Sequence, residues 1–391
     1  MKLAIFGTFF PLTGRLGSTT TGMAFLCCKN EKIERIRLYV QKGAKLPTSF
    51  SSNKCTLIES WYIDKPLYIA NSIVSLSMDK EVDAYFFNLS LTMFGMKRVS
   101  NFIGLLMPPL IAKVTKKKVL VYMHDFIETE EVEKLGYNPS LFARMIASFL
   151  EKLIVKNTIL IVPRLSQKSI LESKYGISIH SMIIPYVEGI YLEGQQTFSN
   201  LSAALNHGNR VNVLLFGSWG PQKDLYGGLK FLSRLIDSGC DINVIVVGGP
   251  NLNFPDYVSQ MKHALESFPQ QNLTYLPKVS DEEVPEIFEA SDMLFLPYLT
   301  SGGYSAVMNL GALYELRIIA YNIRQLREVS SLIGAEAIFI EPDDSDSVEV
   351  VKKVVAGVKS RPPQVSKDRA EKLLRASQSM DQMIKLLINE K

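Results

Sequence analysis

The sequence predicts an α/β fold made of two doubly wound parallel sheets, one in each half of the chain. Its 391 residues exceed the roughly 250–300 that one hydrophobic core usually reaches, so two domains are expected. Short apolar runs alternate with amphipathic segments long enough for crossover helices, a pattern typical of parallel strands. With 47% hydrophobic and 21% charged residues, the composition is that of a globular enzyme and not of a disordered or fibrous chain.

The first domain is predicted at residues 1–190 and the second at 211–365. Residues 191–210 are rich in Gln, Asn, Ser and Gly and are predicted to be the linker. Helical spacing of apolar residues predicts a C-terminal helix within 366–391, which could cross back to the first domain. The predicted strands are 2–7, 35–40, 84–88, 118–123 and 159–162 in the first domain, and 211–217, 242–248, 273–276, 293–297, 318–321 and 337–340 in the second.

The segment 293–321 contains the pattern that says most about function. An apolar strand leads into a glycine-containing loop, followed by a helix and a second apolar strand. The first N–H groups of a helix have no intrahelical acceptor, and the helix dipole adds roughly half a positive charge at that end. We therefore predict a binding site for a phosphorylated ligand. Its residues are Gly302, Gly303, Tyr304, Ser305, Ala306 and Val307.

Charge is unevenly distributed along the chain. Residues 1–190 contain 24 Lys and Arg against 15 Asp and Glu, whereas the remaining residues contain 19 against 24. The basic first half predicts an anionic partner such as a phospholipid surface. A nucleic acid is disfavoured, because the basic residues are not interleaved with an aromatic stacking motif and the second half is acidic.

The segment 101–118, NFIGLLMPPLIAKVTKKK, has two interpretations. It could lie in a membrane interface as an apolar stretch bracketed by cations, or it could be a buried helix broken at Pro108 and Pro109. No run approaches the ~20 apolar residues of a membrane span, and the N-terminus leads directly into a strand. A cytoplasmic protein is expected, with peripheral contact with the inner face of a membrane left open. The four cysteines lack metal-ligand spacing and are expected to be reduced and structural.

Several stretches of the sequence carry a resemblance to a known family. They are Met123-His124-Asp125, ILIVPRLSQK at 159–168, LLFGSWGPQKD at 214–224 and EEVPEIFEASDMLFLPY at 282–298. Together they resemble the GT-B fold glycosyltransferases, and are most similar to glycosyltransferase family 4, over essentially the full length. The resemblance implies two Rossmann-like domains that face a central cleft. It also implies transfer of a sugar from a nucleoside-diphosphate sugar to a hydroxyl of a glycan or lipid-linked acceptor, with retention.

Sugar transfer from such a donor leaves a diphosphate, whose charge a metal or fixed positive groups must stabilise. No clustered set of His and carboxylate residues predicts a metal site, so no metal is expected. Lys223, after a strand and the turn that contains Ser218, is the predicted cation, although a solvated lysine is the alternative. The resemblance also places Gly14, in the loop 9–22, near the diphosphate and acceptor. This loop lacks a GxGxxG pattern, so no nicotinamide cofactor is expected.

His124 is predicted to contact the donor sugar, because ligands of open α/β sheets gather at the carboxyl ends of strands and the family places a histidine there. Asp125 could orient His124 or meet the acceptor hydroxyl. The alternative is a strand-end histidine satisfied by backbone, followed by an aspartate that caps a turn.

The donor loop departs from the family pattern. Two glutamates that contact the sugar and the ribose in the family fall on Gly303 and Gly311, and Glu315 or Glu328 could replace the ribose contact. These glycines keep two alternatives open: a nucleotide-sugar epimerase of the same fold, and a degenerate transferase that serves as a binding or scaffold protein.

Overall fold

The protein, described by a computed structural model, forms two compact units. The described residues up to 126, with 139–182 and 381–388, belong to the first unit, and those from 205 to 358 belong to the second. The structure describes residues 1–9, 15–47, 50, 53–126, 133, 139–182, 205, 210–251, 254–280, 283–302, 305–358 and 381–388. Most of the predicted linker therefore lies outside the described residues.

The first unit contains a seven-stranded parallel sheet with strand order β3-β2-β1-β4-β5-β6-β7. Side chains alternate between its two faces: Leu3 and Ile5 enter one core, while Ala4 and Phe6 enter the other. Both faces are covered, as a parallel sheet requires. The strands are β1 (Lys2–Phe6), β2 (Arg35–Gln41), β3 (Cys55–Trp61), β4 (Ala84–Leu89), β5 (Lys118–Met123), β6 (Ile159–Val162) and β7 (His180–Ser181).

Helices cover both faces of this sheet. The helix α1 packs on the face of Leu3 and Ile5, and the other four described crossover helices pack on the opposite face. These helices are α1 (Arg15–Lys29), α2 (Pro66–Met78), α3 (Arg98–Thr115), α4 (Leu141–Asn157) and α5 (Leu165–Tyr175).

The C-terminal helix at 381–388 packs against the first unit, on the side of α1. Met383, Ile384 and Leu387 are buried in the core that also contains Leu3. Lys118 Nζ donates to the carbonyl of Leu386 at 2.9 Å. The rest of the predicted C-terminal segment lies outside the described residues.

The second unit contains a six-stranded parallel sheet with strand order β10-β9-β8-β11-β12-β13. Its strands are β8 (Val211–Phe216), β9 (Ile242–Val247), β10 (Leu273–Leu276), β11 (Met293–Leu296), β12 (Arg317–Tyr321) and β13 (Ala337–Ile340). Its helices are α6 (Leu225–Asp237), α7 (Tyr257–Glu266), α8 (Val284–Glu289), α9 (Ala306–Leu313), α10 (Arg324–Ile333) and α11 (Ser345–Val358). A short 3₁₀ turn, Pro221–Lys223, precedes α6.

All eleven predicted strands are confirmed, but two local predictions are wrong. Pro108 and Pro109 do not break a helix: both lie buried within α3, which packs between α2 and α4 against the sheet. Burial of this helix offsets the two missing N–H donors.

The predicted loop 9–22 is also too long, because α1 begins at Arg15. Its threonines at 19–21 are buried and helical despite their modest helix propensity.

One half of a capping box precedes α8: the Ser280 amide donates to Glu283 Oε2 at 2.6 Å. The helix begins at Val284 and ends at Glu289, with Ala290 as its C-cap.

Gly248, at the end of β9, tests the packing of the second sheet. Its φ of 97° lies in the left-handed region, and a Cβ atom there would overlap the carbonyl oxygen of Gly217. We expect Gly248→Ala to lower the free energy of unfolding of this unit by about 1–3 kcal/mol, measured by calorimetry. The control is Gly357→Ala in α11, where a Cβ meets nothing within 4 Å. It should be neutral, or stabilising by up to ~1 kcal/mol. Equal stability of the two variants would contradict the packing argument.

Candidate functional site

Two neighbouring strands of the second sheet, β8 and β9, end in closely packed glycines. Gly217 follows β8 with a φ of 141°, and Gly248 follows β9. A side chain at Gly248 would collide with the Gly217 carbonyl, and a side chain at Gly217 would displace the Lys223 ammonium. The missing side chains thus open the carboxyl end of β8, where ligands of parallel sheets bind.

Lys223 places its ammonium at this strand end. The 3₁₀ turn holds its backbone, since the Lys223 amide donates to the Gly220 carbonyl at 2.9 Å. The Leu299 amide donates to the Gln222 carbonyl at 3.0 Å, which fastens the turn to the loop that follows β11. The predicted cation and the predicted anion loop therefore meet at the same edge of the sheet.

Two aromatic rings flank the Lys223 ammonium. Its Nζ lies 5.1 Å from the centre of the Tyr298 ring and 5.9 Å from that of Trp219, within the range of cation–π attraction. Burial raises the pKa of the Tyr298 phenol, so this ring stays neutral at physiological pH. Trp219 is buried and its Nε1 donates to the Val247 carbonyl at 3.1 Å. The Lys223 ammonium thus lies against an aromatic surface.

The loop after β11 ends at a capped helix start. Ser305 is the N-cap of α9, and its hydroxyl accepts from the Met308 amide at 3.4 Å. Ala306 and Val307 supply first-turn N–H groups, which an α-helix does not bond internally. Gly302 lies at the described end of the loop, whereas Gly303 and Tyr304 lie outside the described residues.

The structure corrects the prediction for the ribose contact. Gly311 faces the sheet, where a Cβ atom would overlap Leu294 and lie 3.4 Å from Ile318 Cδ1. It is therefore a packing glycine and not an emptied ligand position. Glu315 follows the C-terminal end of α9, on the opposite end of the helix from the anion loop, so it cannot replace the ribose contact.

Two polar residues near the loop were not singled out from the sequence. Asn309 is partly exposed one turn after the Ser305 cap, and its backbone N–H donates to the Ser305 carbonyl at 3.3 Å. Side chains on a helix tilt toward its N-terminus, so Asn309 is a candidate ligand contact. Gln325 of α10 is buried, and its Nε2 donates to Thr300 Oγ1 at 3.4 Å. Glu328, one turn later in α10, stays a candidate.

The site in the first unit is a buried hydrogen-bond chain at the ends of β1, β4 and β5. Gly7 lacks a side chain where a Cβ atom would lie 2.5 Å from Thr20 Oγ1. Asn88 Nδ2 donates to Thr20 Oγ1 at 2.8 Å, so its Oδ1 accepts from His124 Nε2, also at 2.8 Å. In this series of hydrogen bonds, Nε2 of the His124 ring is the donor and therefore carries a proton. The ring is only 1% exposed, so contact with a sugar requires that it become accessible.

Asp125 is held by the turn after β4. Its Oδ2 accepts from Ser90 Oγ at 2.8 Å, and its Oδ1 accepts from the Leu91 amide at 2.7 Å. Asn88, not Asp125, is thus the described partner of His124 Nε2. These contacts fit the structural interpretation of Asp125 better than the catalytic one.

Two residues that follow β6 were assigned no role from the sequence. Arg164 is buried, and Gln167 of α5 joins it to the histidine: Gln167 Oε1 accepts from the Arg164 amide at 3.2 Å, while its Nε2 donates to the His124 carbonyl at 3.2 Å.

Of the other predicted residues, Ser218 is exposed beside Gly217, and Gly14 lies outside the described part of the chain. Among the described residues, no cluster of three His, Cys, Asp or Glu could hold a metal ion.

Sequence comparison identifies one distant relative. No protein-family model matches the chain. An uncharacterized 41.2 kDa protein in the cps region of Klebsiella pneumoniae is 23% identical over 257 residues, which cover 64% of this chain. The match spans 65% of the length of that relative.

Comparison with solved structures gives full-length matches. HepE of Anabaena, in complex with UDP and glucose, matches with a TM-score of 0.70 at 11% identity over 100% of each chain. Sucrose-phosphate synthase of Thermosynechococcus elongatus matches with a TM-score of 0.67 at 12% identity over 99% of each chain. A Listeria monocytogenes protein assigned as a UDP-N-acetylglucosamine 2-epimerase has a TM-score of 0.59 at 11% identity, covering 100% of this chain and 97% of that one. The chain has the GT-B fold, with two Rossmann-like α/β domains in series.

Proposed function

We propose that the protein is a glycosyltransferase that moves a sugar from a nucleoside-diphosphate sugar to a hydroxyl of a glycan or lipid-linked acceptor, with retention and without a metal. The observation that carries this proposal is the position of Lys223. Its ammonium lies against Gly217 at the end of the central strand β8, and its turn is bonded to the loop that leads into α9. The complexes of HepE with UDP and with UDP-glucose support a nucleotide-sugar as the donor.

Fixed positive groups would stabilise the leaving diphosphate. The Lys223 ammonium would neutralise part of its charge, and the first-turn amides of Ala306 and Val307 would donate to phosphoryl oxygens. These donors are already oriented by the 3₁₀ turn and by the Ser305 cap, so little reorganisation would accompany bond cleavage. Asn309 or Glu328 would contact the nucleoside.

The first unit would hold the acceptor and contact the donor sugar through His124. Hydrogen bonds to Asn88 and from Gln167 hold the ring and the backbone of His124 in one orientation, and the contact would form once the ring becomes accessible. We also propose residues 191–210 as the linker of the two domains, a cytoplasmic location and peripheral contact with an anionic membrane. No described helix is long and apolar enough to cross a bilayer.

An epimerase acting on a nucleotide-sugar is the second candidate, because one structural neighbour is assigned as a UDP-N-acetylglucosamine 2-epimerase. Its match is weaker than that of HepE. The two candidates separate in one experiment: an epimerase changes or releases the sugar without an acceptor, whereas a transferase forms product only when a lipid or glycan extract is added.

Loss of the Lys223 ammonium should weaken nucleotide binding. We expect Lys223→Ala to reduce the affinity for UDP by roughly 1.5–3 kcal/mol, because a charge-assisted contact is lost. Calorimetric titration with UDP, and with GDP and ADP for the base, measures this change. Lys230→Ala, which removes an exposed lysine from α6, is the matched control and should leave affinity unchanged. Equal affinities of the two variants would rule out the role of Lys223, and no binding of any nucleotide would leave only a scaffold.

Loss of the His124 imidazole should lower turnover without changing nucleotide binding. We expect His124→Gln to reduce kcat by at least about tenfold, since a contact at the reacting centre is removed. The rate of product formation in the presence of acceptor extract measures this change, and thermal unfolding checks that the buried site stays folded. His180→Gln, in β7 of the same unit, is the control. Full turnover of folded His124→Gln protein would reject the sugar contact.

A further inference from the structure

The helices α2, α3 and α4 lie side by side on one face of the first sheet and expose many large apolar side chains. Their inward faces are already buried, for example at Ile69, Leu105 and Ile154. Their outward faces form a second apolar surface, which we call the three-helix face. Its exposed apolar residues are Leu67, Tyr68, Val74 and Met78 on α2, Val99, Phe102, Leu110 and Val114 on α3, and Leu141, Phe142, Met145 and Phe149 on α4.

The first two turns of α4 are the most prominent part of the three-helix face. Leu141, Phe142 and Met145 are 82%, 72% and 71% exposed. Phe142, Met145 and Phe149 follow one another at intervals of three and four residues, so they form one stripe along the helix. Soluble proteins rarely expose contiguous apolar surface of this kind without an interaction partner.

This differs from the membrane segment that the sequence suggested. The apolar stretch of 101–118 is mostly core, because Leu105, Met107 and Ile111 of α3 are buried. Only Phe102, Leu110 and Val114 from that stretch reach the three-helix face. The surface is therefore assembled from three helices and is not visible in any one segment.

Charge identifies the kind of partner. The sequences of α2 and α3 contain no Asp or Glu, and the single acidic residue of α4, Glu151, is buried. The three-helix face thus displays no carboxylate from these helices. Its cations stand on and beside the apolar stripes: Lys97, Arg98, Lys113, Lys116, Arg144, Lys152 and Lys156. A surface that is apolar and basic, with no exposed carboxylate from its own three helices, complements an anionic lipid bilayer, which offers hydrocarbon beneath phosphate.

A second copy of the chain fits this face less well. A symmetric dimer would place the same cationic patch opposite itself, with no carboxylate on these helices to pair with it. Like charges across an interface oppose association. An anionic bilayer satisfies both the apolar and the basic groups.

We infer that the three-helix face docks the protein on an anionic bilayer, with the first two turns of α4 entering the interface. Helices that follow strands of a parallel sheet begin at its carboxyl edge. Leu141 and Phe142 therefore lie at the same edge as His124. Docking would bring this edge to the lipid surface, where a lipid-linked acceptor presents its hydroxyl. In this last respect the inference rests on the proposed function.

Vesicle co-sedimentation of the full chain without nucleotide tests the inference. We expect binding to vesicles of phosphatidylglycerol and phosphatidylcholine, weaker binding to phosphatidylcholine alone, and a decrease at high salt. The double variant Phe142→Ser with Met145→Ser should bind at least tenfold more weakly, since two apolar side chains no longer enter the interface. Lys152→Ala and Lys156→Ala should each weaken binding about fivefold.

Matched controls come from the second unit. Val258→Ser with Val350→Ser removes two exposed apolar side chains there, and this variant should bind vesicles like the wild type. The UDP affinity of the Phe142 and Met145 variant should be unchanged, so failure of docking and failure of nucleotide binding are separate results. No co-sedimentation at low salt, equal loss in both double variants, or a lipid-free dimer that the Phe142 and Met145 substitutions dissociate would overturn the inference.

Discussion

The rest of the proposed chemistry depends on a glycine at the end of a central strand. At Gly217 the missing side chain makes room for the Lys223 ammonium, and the parallel sheet brings the loop after β11 to the same edge. The first unit uses the same device: Gly7, after its own central strand, makes room for the Thr20 hydroxyl and the hydrogen-bond chain behind it. In each unit, backbone without a side chain lets a functional group approach the point where α/β sheets bind ligands.

Most of the fold was predictable because strands that are buried on both faces of a parallel sheet have continuous apolar sequences. The strands missed were the ones that lack this signal. In β3, an edge strand, residues such as Thr56 and Glu59 are exposed or partly exposed, so the apolar run is interrupted. The strand β7 has only two residues. The two adjacent prolines within α3 predicted a helix end. They stay helical because of tertiary packing, which the local sequence does not show.

The candidate site was predictable where it follows strand ends, as for Lys223, Ser305 and His124. Three-dimensional packing decided the rest. The side toward which Gly311 points depends on the register of α9 against β11, which the sequence does not state. The capping role of Asp125 depends on Ser90 and Leu91, which are far away in the chain. The three-helix face could not be predicted from the sequence either, since its exposed apolar residues come from three separate crossover helices.

We propose that the second unit binds a diphosphate with one ammonium and the backbone amides of a helix start. A crystal structure of the protein with bound UDP is the decisive test. We expect phosphoryl oxygens within hydrogen-bond distance of Lys223 Nζ and of the backbone amides of Ala306 and Val307. A diphosphate bound away from the carboxyl ends of β8 and β11, with no contact to Lys223, would rule out this mode of binding.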